Sequence, residues 1–176
     1  SNLTSCKNIS DTLSKSGTKN DHKTVFSYLS FLCNAYAFYK ITRFDIRGKK
    51  YLSTTEKYYL CDHIFRYANL GTKTPDFGRV MENIVAIELL RRGYEVYVGK
   101  LYQKEVDFVA IKNSEKLYIQ VSDNIEADTT KQRELDPLLK IKDSYPKLLI
   151  TRTHYPKYDI DGVLVVDIAD WLLEKA

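Results

Sequence analysis

The stretch Glu105-Val106-Asp107-Phe108-Val109-Ala110-Ile111, followed after a turn at Asn113-Ser114 by Lys116-Leu117-Tyr118-Ile119-Gln120-Val121-Ser122, decides the fold. Both segments are short, rich in β-branched and aromatic residues, and separated by turn-forming residues, so they predict two adjacent strands. Strand side chains alternate between faces. Glu105, Asp107 and Val109 are therefore expected on one face, and Tyr118, Gln120 and Ser122 on one face of the neighbour. If those faces coincide, Asp107 and Gln120 adjoin, while Ile119 and Val121 fill the opposite, core face. Polar groups inside such apolar runs need a metal or a hydrogen-bond network to satisfy them.

Working outward, residues 79–92 predict a helix. Val80, Ile84, Ile87 and Leu90, with Val85 and Leu89, give it a broad buried face, Glu82 lies in its first half, and Gly93 stops it. Residues 94–98 predict the strand between this helix and the quoted stretch. A second helix is expected over about 129–144, softened at Pro137, then buried apolar strands at 147–151 and 163–166 and a closing helix. That order describes a three-layer α/β domain.

The first 70 residues read differently. A short helix is expected up to about residue 16, with Ile9 and Leu13 four apart and Ser16-Gly17 closing it. After a turn, Asp21 can cap a longer helix in which Val25, Leu29, Leu32 and Tyr36 recur at three- and four-residue steps. Residues 37–46 and 51–60 then form a hairpin whose tip is Arg47-Gly48-Lys49-Lys50, and helix, turn, helix and basic hairpin make a winged-helix outline. Little apolar periodicity runs through residues 70–77, where Gly71 and Pro75 fall. We expect a winged-helix domain over 1–70 and the α/β domain over 71–176. On this reading Lys19, His22, Lys23, Arg47, Lys49 and Lys50 lie against DNA phosphates; the alternative is a solvated hairpin whose module packs against protein.

Charge supports the division. Of the 176 residues, 1–70 carry 11 basic and 5 acidic side chains, against 16 and 18 in 71–176, so the net +4 conceals a basic first part. Nucleic acid, if held, is held mainly there. With 44% apolar residues the chain can bury a real core, and it contains no run of about eighteen apolar residues that would span a bilayer. It also lacks the features of a signal peptide, so a soluble, cytoplasmic setting without membrane association is expected. Cys6, Cys33 and Cys61 are odd in number and far apart, consistent with reduced thiols, and His22, His63 and His154 show no zinc spacing.

The acids suggest a chemistry. Two neighbouring strands that present carboxylates to a divalent ion, with a lysine to stabilise developing phosphate charge, form a metal-dependent nuclease core. Magnesium takes oxygen ligands, and Glu82, Asp107 and the amide oxygen of Gln120 can be combined into such a set. Ser122 cannot supply the cation. Lys131 and Arg133 are the nearest substitutes in sequence, and Glu105 reads as a surface acid.

At these residues the chain resembles a family. Met81-Glu82-Asn83, Glu88-Leu89-Leu90-Arg91-Arg92-Gly93-Tyr94-Glu95-Val96, Glu105-Val106-Asp107-Phe108-Val109, Ile119-Gln120-Val121, Arg133-Glu134-Leu135 and Leu138-Leu139-Lys140-Ile141 resemble the C-terminal domain of unknown function of bacterial and archaeal AAA-type ATPases. With Arg43-Phe44-Asp45-Ile46-Arg47-Gly48-Lys49 the resemblance covers most of the chain. It implies a divergent PD-(D/E)XK, restriction-endonuclease-like domain after a small winged helix. Glu82 then matches the helical acid, Asp107 the strand aspartate, Gln120 the second acid and Ser122 the lysine. The first two agree with that pattern and the last two depart from it, which touches hydrolysis rather than fold. The resemblance also implies an N-terminal ATPase domain as partner in cis. This chain has no Gly-x-x-x-x-Gly-Lys-Ser/Thr loop, so ATP binding is not expected of it. Three functions follow as expectations: DNA binding with degraded or no catalysis, a magnesium-dependent endonuclease, or a protein-interaction module serving the ATPase. Oligomeric state is not legible.

Overall fold

The computed structural model describes residues 3–17, 21–71 and 76–174, the side chains at 54, 69 and 70 excepted. Helix α1 (Cys6–Lys15) starts where the Ser5 hydroxyl accepts from the Asn8 N–H at 3.2 Å, and α2 (His22–Asn34) follows. Asp21 occupies the cap position of α2 but makes no side-chain cap bond; it contacts His22 Nδ1 at 2.8 Å instead. The apolar spacing of α2 does not become a buried stripe. Val25 is buried, but Leu32 and Tyr36 are 40% and 69% exposed, and Tyr36 lies beyond the helix.

The hairpin forms as expected, from β1 (Phe38–Asp45) and β2 (Lys50–Leu60). Its setting is different from that of an appended wing. After α3 (Ile64–Leu70), α4 (Phe77–Arg91) leads to β3 (Glu95–Leu101), and Arg43, Phe44 and Asp45 of β1 pair in parallel with Val98, Gly99 and Lys100 of β3. The chain continues through β4 (Lys104–Lys112), β5 (Glu115–Ser122), α5 (Asp128–Leu139), β6 (Lys147–Thr151), β7 (Tyr158–Ile160), β8 (Val163–Asp167) and α6 (Ile168–Leu173). The eight strands form one sheet in the order β2-β1-β3-β4-β5-β6-β8-β7. The division expected at 70/71 therefore crosses a single continuous sheet. The reason is physical: β1 is apolar enough at Ile41 and Phe44 to be buried as an inner strand, and the free edge of β3 accepts it.

Each face of the sheet carries its own core. Met81, Val85, Ala86 and Leu89 of α4 and Trp171 of α6 cover one face with Val98, Phe108, Ile119 and Val121. Leu135 and Leu138 of α5 cover the other with Val106, Val109, Tyr118, Leu149 and Val165. Helix, sheet and helix make three layers, as the element order predicts. Proline 137 is accommodated inside α5, which ends at Leu139 rather than near residue 144.

One irregularity positions the site. In the β3/β4 ladder Tyr97 pairs with Val109 but Gly99 pairs with Val106, so β4 carries one extra residue there. Val106 and Val109 consequently enter the same core, on the α5 face. Gly99 lies directly over them. A Cβ at Gly99 would meet Val106 Cβ at 2.9 Å and Val109 Cγ2 at 3.0 Å, so this close approach admits only glycine. The bulge corrects the simple alternation expected for β4: Glu105 and Val109 do not share a face.

Candidate functional site at the fork between two strands

The β4/β5 ladder runs from the Asn113-Ser114 turn up to the pair Phe108 and Ile119. Beyond that point side chains take over from backbone pairing. The Val121 N–H donates to Asp107 Oδ2 at 2.8 Å, and the Asp107 N–H donates to Gln120 Oε1 at 3.2 Å. The other end of the Gln120 amide is also engaged, donating from Nε2 to Glu134 Oε2 at 2.9 Å. Arg133 donates to Glu134 Oε1 through Nη2 at 2.7 Å and Nε at 3.0 Å. Asp107 and Gln120 thus adjoin, but through the Asp107 backbone N–H rather than by sharing a face, and a hydrogen-bond network satisfies both. Ser122 turns to the following loop, where its hydroxyl donates to the Asn124 carbonyl at 3.1 Å.

On the α4 side the cation comes from an unexpected element. Lys57 of β2 is almost fully buried, its side chain 4% exposed, and Nζ donates to Glu82 Oε1 at 2.8 Å and reaches Glu105 Oε1 at 2.6 Å. Two residues on, and so on the same face of β2, the Tyr59 hydroxyl donates to the same Glu82 oxygen at 2.7 Å. Glu105 is therefore no isolated surface acid but part of this cluster, brought to it by the bulge. Neither Lys131 nor Arg133 fills that place: Arg133 serves Glu134 on the α5 face.

The electrostatics follow from three carboxylates crowding one ammonium in a partly dry site. Burial opposes the charge on Lys57, but Glu82, Asp107 and Glu105 outweigh it and lift its pKa above the ordinary lysine value. Burial likewise opposes ionisation of Glu82, yet Lys57 and the Tyr59 hydroxyl hold its carboxyl below the usual range. Asp107 goes the other way. Burial first, and repulsion from Glu82 second, push it up to about 7 against the pull of Lys57 and the Val121 N–H. Burial and the neighbouring Glu82 raise Tyr59, so its hydroxyl stays a donor.

The oxygens proposed from sequence as metal ligands are committed to protein donors. Glu82 Oε1 accepts from Lys57 and Tyr59, Asp107 Oδ2 from Val121 and Gln120 Oε1 from Asp107. Among the described residues, no three His, Cys, Asp or Glu side chains converge in a manner that could hold a metal ion. The residues present do not fit a ready magnesium site, because Glu82 and Asp107 approach the fork from the α4 face while Gln120 is tied to α5.

The residues expected against phosphates fall in two places. His22 and Lys23 occupy the exposed first turn of α2, and Lys19 lies outside the described residues. Arg47, Lys49 and Lys50 are exposed at the hairpin tip, where the Arg47 guanidinium sits 5.0 Å from the centre of the Tyr102 ring in the β3/β4 turn. The outward face of α2 is aromatic rather than basic: Phe26, Tyr28 and Phe31 are 58%, 57% and 67% exposed.

Lys57, Tyr59 and Glu134 were not predicted as site residues. Lys57 sits in a strand of alternating character that reads as solvent-facing, and no sequence signal links it to Glu82. Among the described residues, no helix is long and apolar enough to cross a membrane.

Two curated relatives accompany this geometry. An uncharacterized protein of Haemophilus influenzae is 47% identical over 166 residues, 94% of this chain and 41% of that protein. An uncharacterized protein of Methanocaldococcus jannaschii is 31% identical over 147 residues, 81% of this chain and 32% of that protein. The chain therefore spans about two-fifths and one-third of the length of these relatives. No protein-family model and no solved structure matches it.

Proposed function

We propose that this chain is the C-terminal region of an AAA-type ATPase, with a restriction-endonuclease-like fold whose sheet is extended by the basic hairpin, and that it contributes DNA binding without phosphodiester hydrolysis. The greater length of both relatives supports a setting within a longer polypeptide. The observation that carries the loss of hydrolysis is the use of Asp107 and Gln120 as a joint: one closes the end of β5, the other ties β4 to α5, and neither presents its bonded oxygen outward. The exposed basic tip, Arg47, Lys49 and Lys50, supplies the surface for phosphates, and Asp45 in the same turn accepts from the Gly48 N–H at 3.0 Å.

Two assays test this reading. Plasmid, linear and branched DNA are incubated with the chain and magnesium or manganese, beside Asp107→Ala to exclude a contaminating nuclease; no cutting by either protein is expected. DNA binding is then measured across salt concentrations for the chain and for Arg47→Ala/Lys49→Ala/Lys50→Ala. Each lost phosphate contact should reduce the slope of log affinity against log salt by about 1. Metal-dependent cutting that disappears in Asp107→Ala overturns the non-catalytic reading and makes Lys57 the natural replacement for the cation that Ser122 lacks. Undetectable binding at low salt, or a slope untouched by the triple substitution, removes the DNA reading.

A further inference from the structure

At the far end of the hairpin from its basic tip, α2, α3, α4 and the β1/β2 ends enclose a cleft of about 670 Å³. Its walls are apolar, built from Leu32, Phe38, Leu60 and Phe65. The floor is rigid, since Asn83 of α4 exchanges two 2.8 Å hydrogen bonds with the backbone of Leu60. A second, smaller hollow beside it shares Tyr58 and is lined by Phe26 and Leu29 of α2. Large apolar side chains of the linings are themselves exposed: Leu32 40% and Phe65 49% in the cleft, and Phe26 58% in the smaller hollow. Scattered exposed apolar residues need no explanation, but a contiguous apolar surface running into a cleft does.

The charged side chains that line the cleft are both arginines, Arg66 and Arg79. Its lining carries His63, Arg66 and Arg79 and no acidic side chain. Arg79 is paired with Asp76 at 3.0 Å. Arg66 has no side-chain partner among the described residues, and His63 Nε2 is buried with no hydrogen-bond partner among them. Nearby Lys40 is already bridged to Glu56 at 3.6 Å, so among the described residues of the two linings Arg66 is the cation left to meet an incoming charge.

We propose that this surface docks an amphipathic helical segment of a partner, one whose apolar side chains fill the two hollows and whose acidic flank meets Arg66. Two adjoining sockets along a helix-lined groove suit apolar anchors spaced by a helical turn. Charge complementarity selects an acidic flank over a basic one, and it separates this surface from the basic tip proposed for DNA. The proposal stands apart from the DNA reading, because no residue of the hairpin tip takes part in it.

The probe is a phage-displayed peptide library panned on the 176-residue chain, followed by affinity measurement of the selected peptides as synthetic, labelled segments. Selected sequences should carry large apolar residues at helical spacing with Asp or Glu beside them. Arg66→Glu should weaken their binding about tenfold or more, and Phe65→Ser comparably, the scale of an anchor lost from an interface. Circular dichroism of both variants confirms that the fold persists. A parallel light-scattering measurement asks whether the chain instead covers this face with a second copy. Selection of peptides without acids, acidic peptides indifferent to Arg66→Glu, no selected binders, or a dimer that Phe65→Ser dissociates would each overturn the proposal.

Discussion

The ammonium of Lys57 and the carboxylate of Glu82, 25 positions apart in the chain, meet at 2.8 Å with side chains only 4% and 12% exposed. One belongs to the hairpin and the other to α4, so this pair joins the first third of the chain to the main body of the fold. Its charge balance decides the behaviour of the whole cluster.

Removing the cation should be severe. Lys57→Met leaves Glu82 and Glu105 without their counter-charge in a partly dry site, a loss of about 3–5 kcal/mol for a broken buried pair. Adding Glu82→Gln to it should recover part of that loss, since one uncompensated charge goes. Urea denaturation of the single and double variants measures both. A single variant within about 1 kcal/mol of the parent would show that the cluster is held by something else.

Asp107 makes stability depend on pH in an unusual direction. Its carboxyl titrates near 7 when folded, above the value of about 3.9 for an unfolded aspartate. Between those values the folded state binds more protons than the unfolded one, so this group's contribution falls as pH rises from about 4 to about 7. Glu82, whose pKa is lowered on folding, acts oppositely: its contribution is present above its unfolded pKa and is lost as pH falls through its folded value. Asp107→Asn keeps an acceptor for the Val121 N–H while deleting the charge. The variant should therefore lose the decline between about pH 4 and pH 7 that thermal denaturation is expected to record for the parent. An unchanged pH profile would contradict the burial argument.

Restoring the second acid of a nuclease site should fail here. Gln120→Glu replaces a donor by a carboxylate 2.9 Å from Glu134 Oε2, putting like charges together and leaving Glu134 with Arg133 alone. A loss of about 1–3 kcal/mol at neutral pH is expected, diminishing as the solution is acidified and one carboxyl is protonated. Calorimetry across pH checks this; a neutral or stabilising outcome would mean that the joint can relax toward the fork.

Gly99→Ala probes the bulge. The new methyl would press on Val106 Cβ at 2.9 Å and on Ile46 Cδ1 and Val109 Cγ2 at 3.0 Å. Overpacking of this kind costs about 1–3 kcal/mol. Because the same bulge brings Glu105 to Lys57, Gly99→Ala and Lys57→Met should be non-additive in a double-mutant cycle.

The helix at α4 was legible because its apolar spacing is strong and Gly93 terminates it, whereas its start at Phe77, under the Asp76 cap, lies two residues before the expected one. The strands around Asp107 and Gln120 were legible for the same local reason, and so was their adjacency, which a short turn enforces. The bulge was not, since one extra residue in β4 depends on how Gly99 packs beneath it. The placement of β1 was also hidden. A hairpin with alternating side chains reads equally well as a free wing or as the edge of a larger sheet, and only the open side of β3 chooses between them.

By itself the sequence determined most of the elements and their order, though not α3 or β7, together with the three-layer packing and the nearness of Asp107 to Gln120, because each follows from periodicity and turns within a few residues. Tertiary structure alone decided that the hairpin extends the main sheet, that Lys57 and Tyr59 answer Glu82, and that Gln120 is tied to Glu134. Those outcomes depend on side chains distant in the chain meeting in a buried space, where the demand to neutralise charge and satisfy hydrogen bonds selects partners that no local pattern announces.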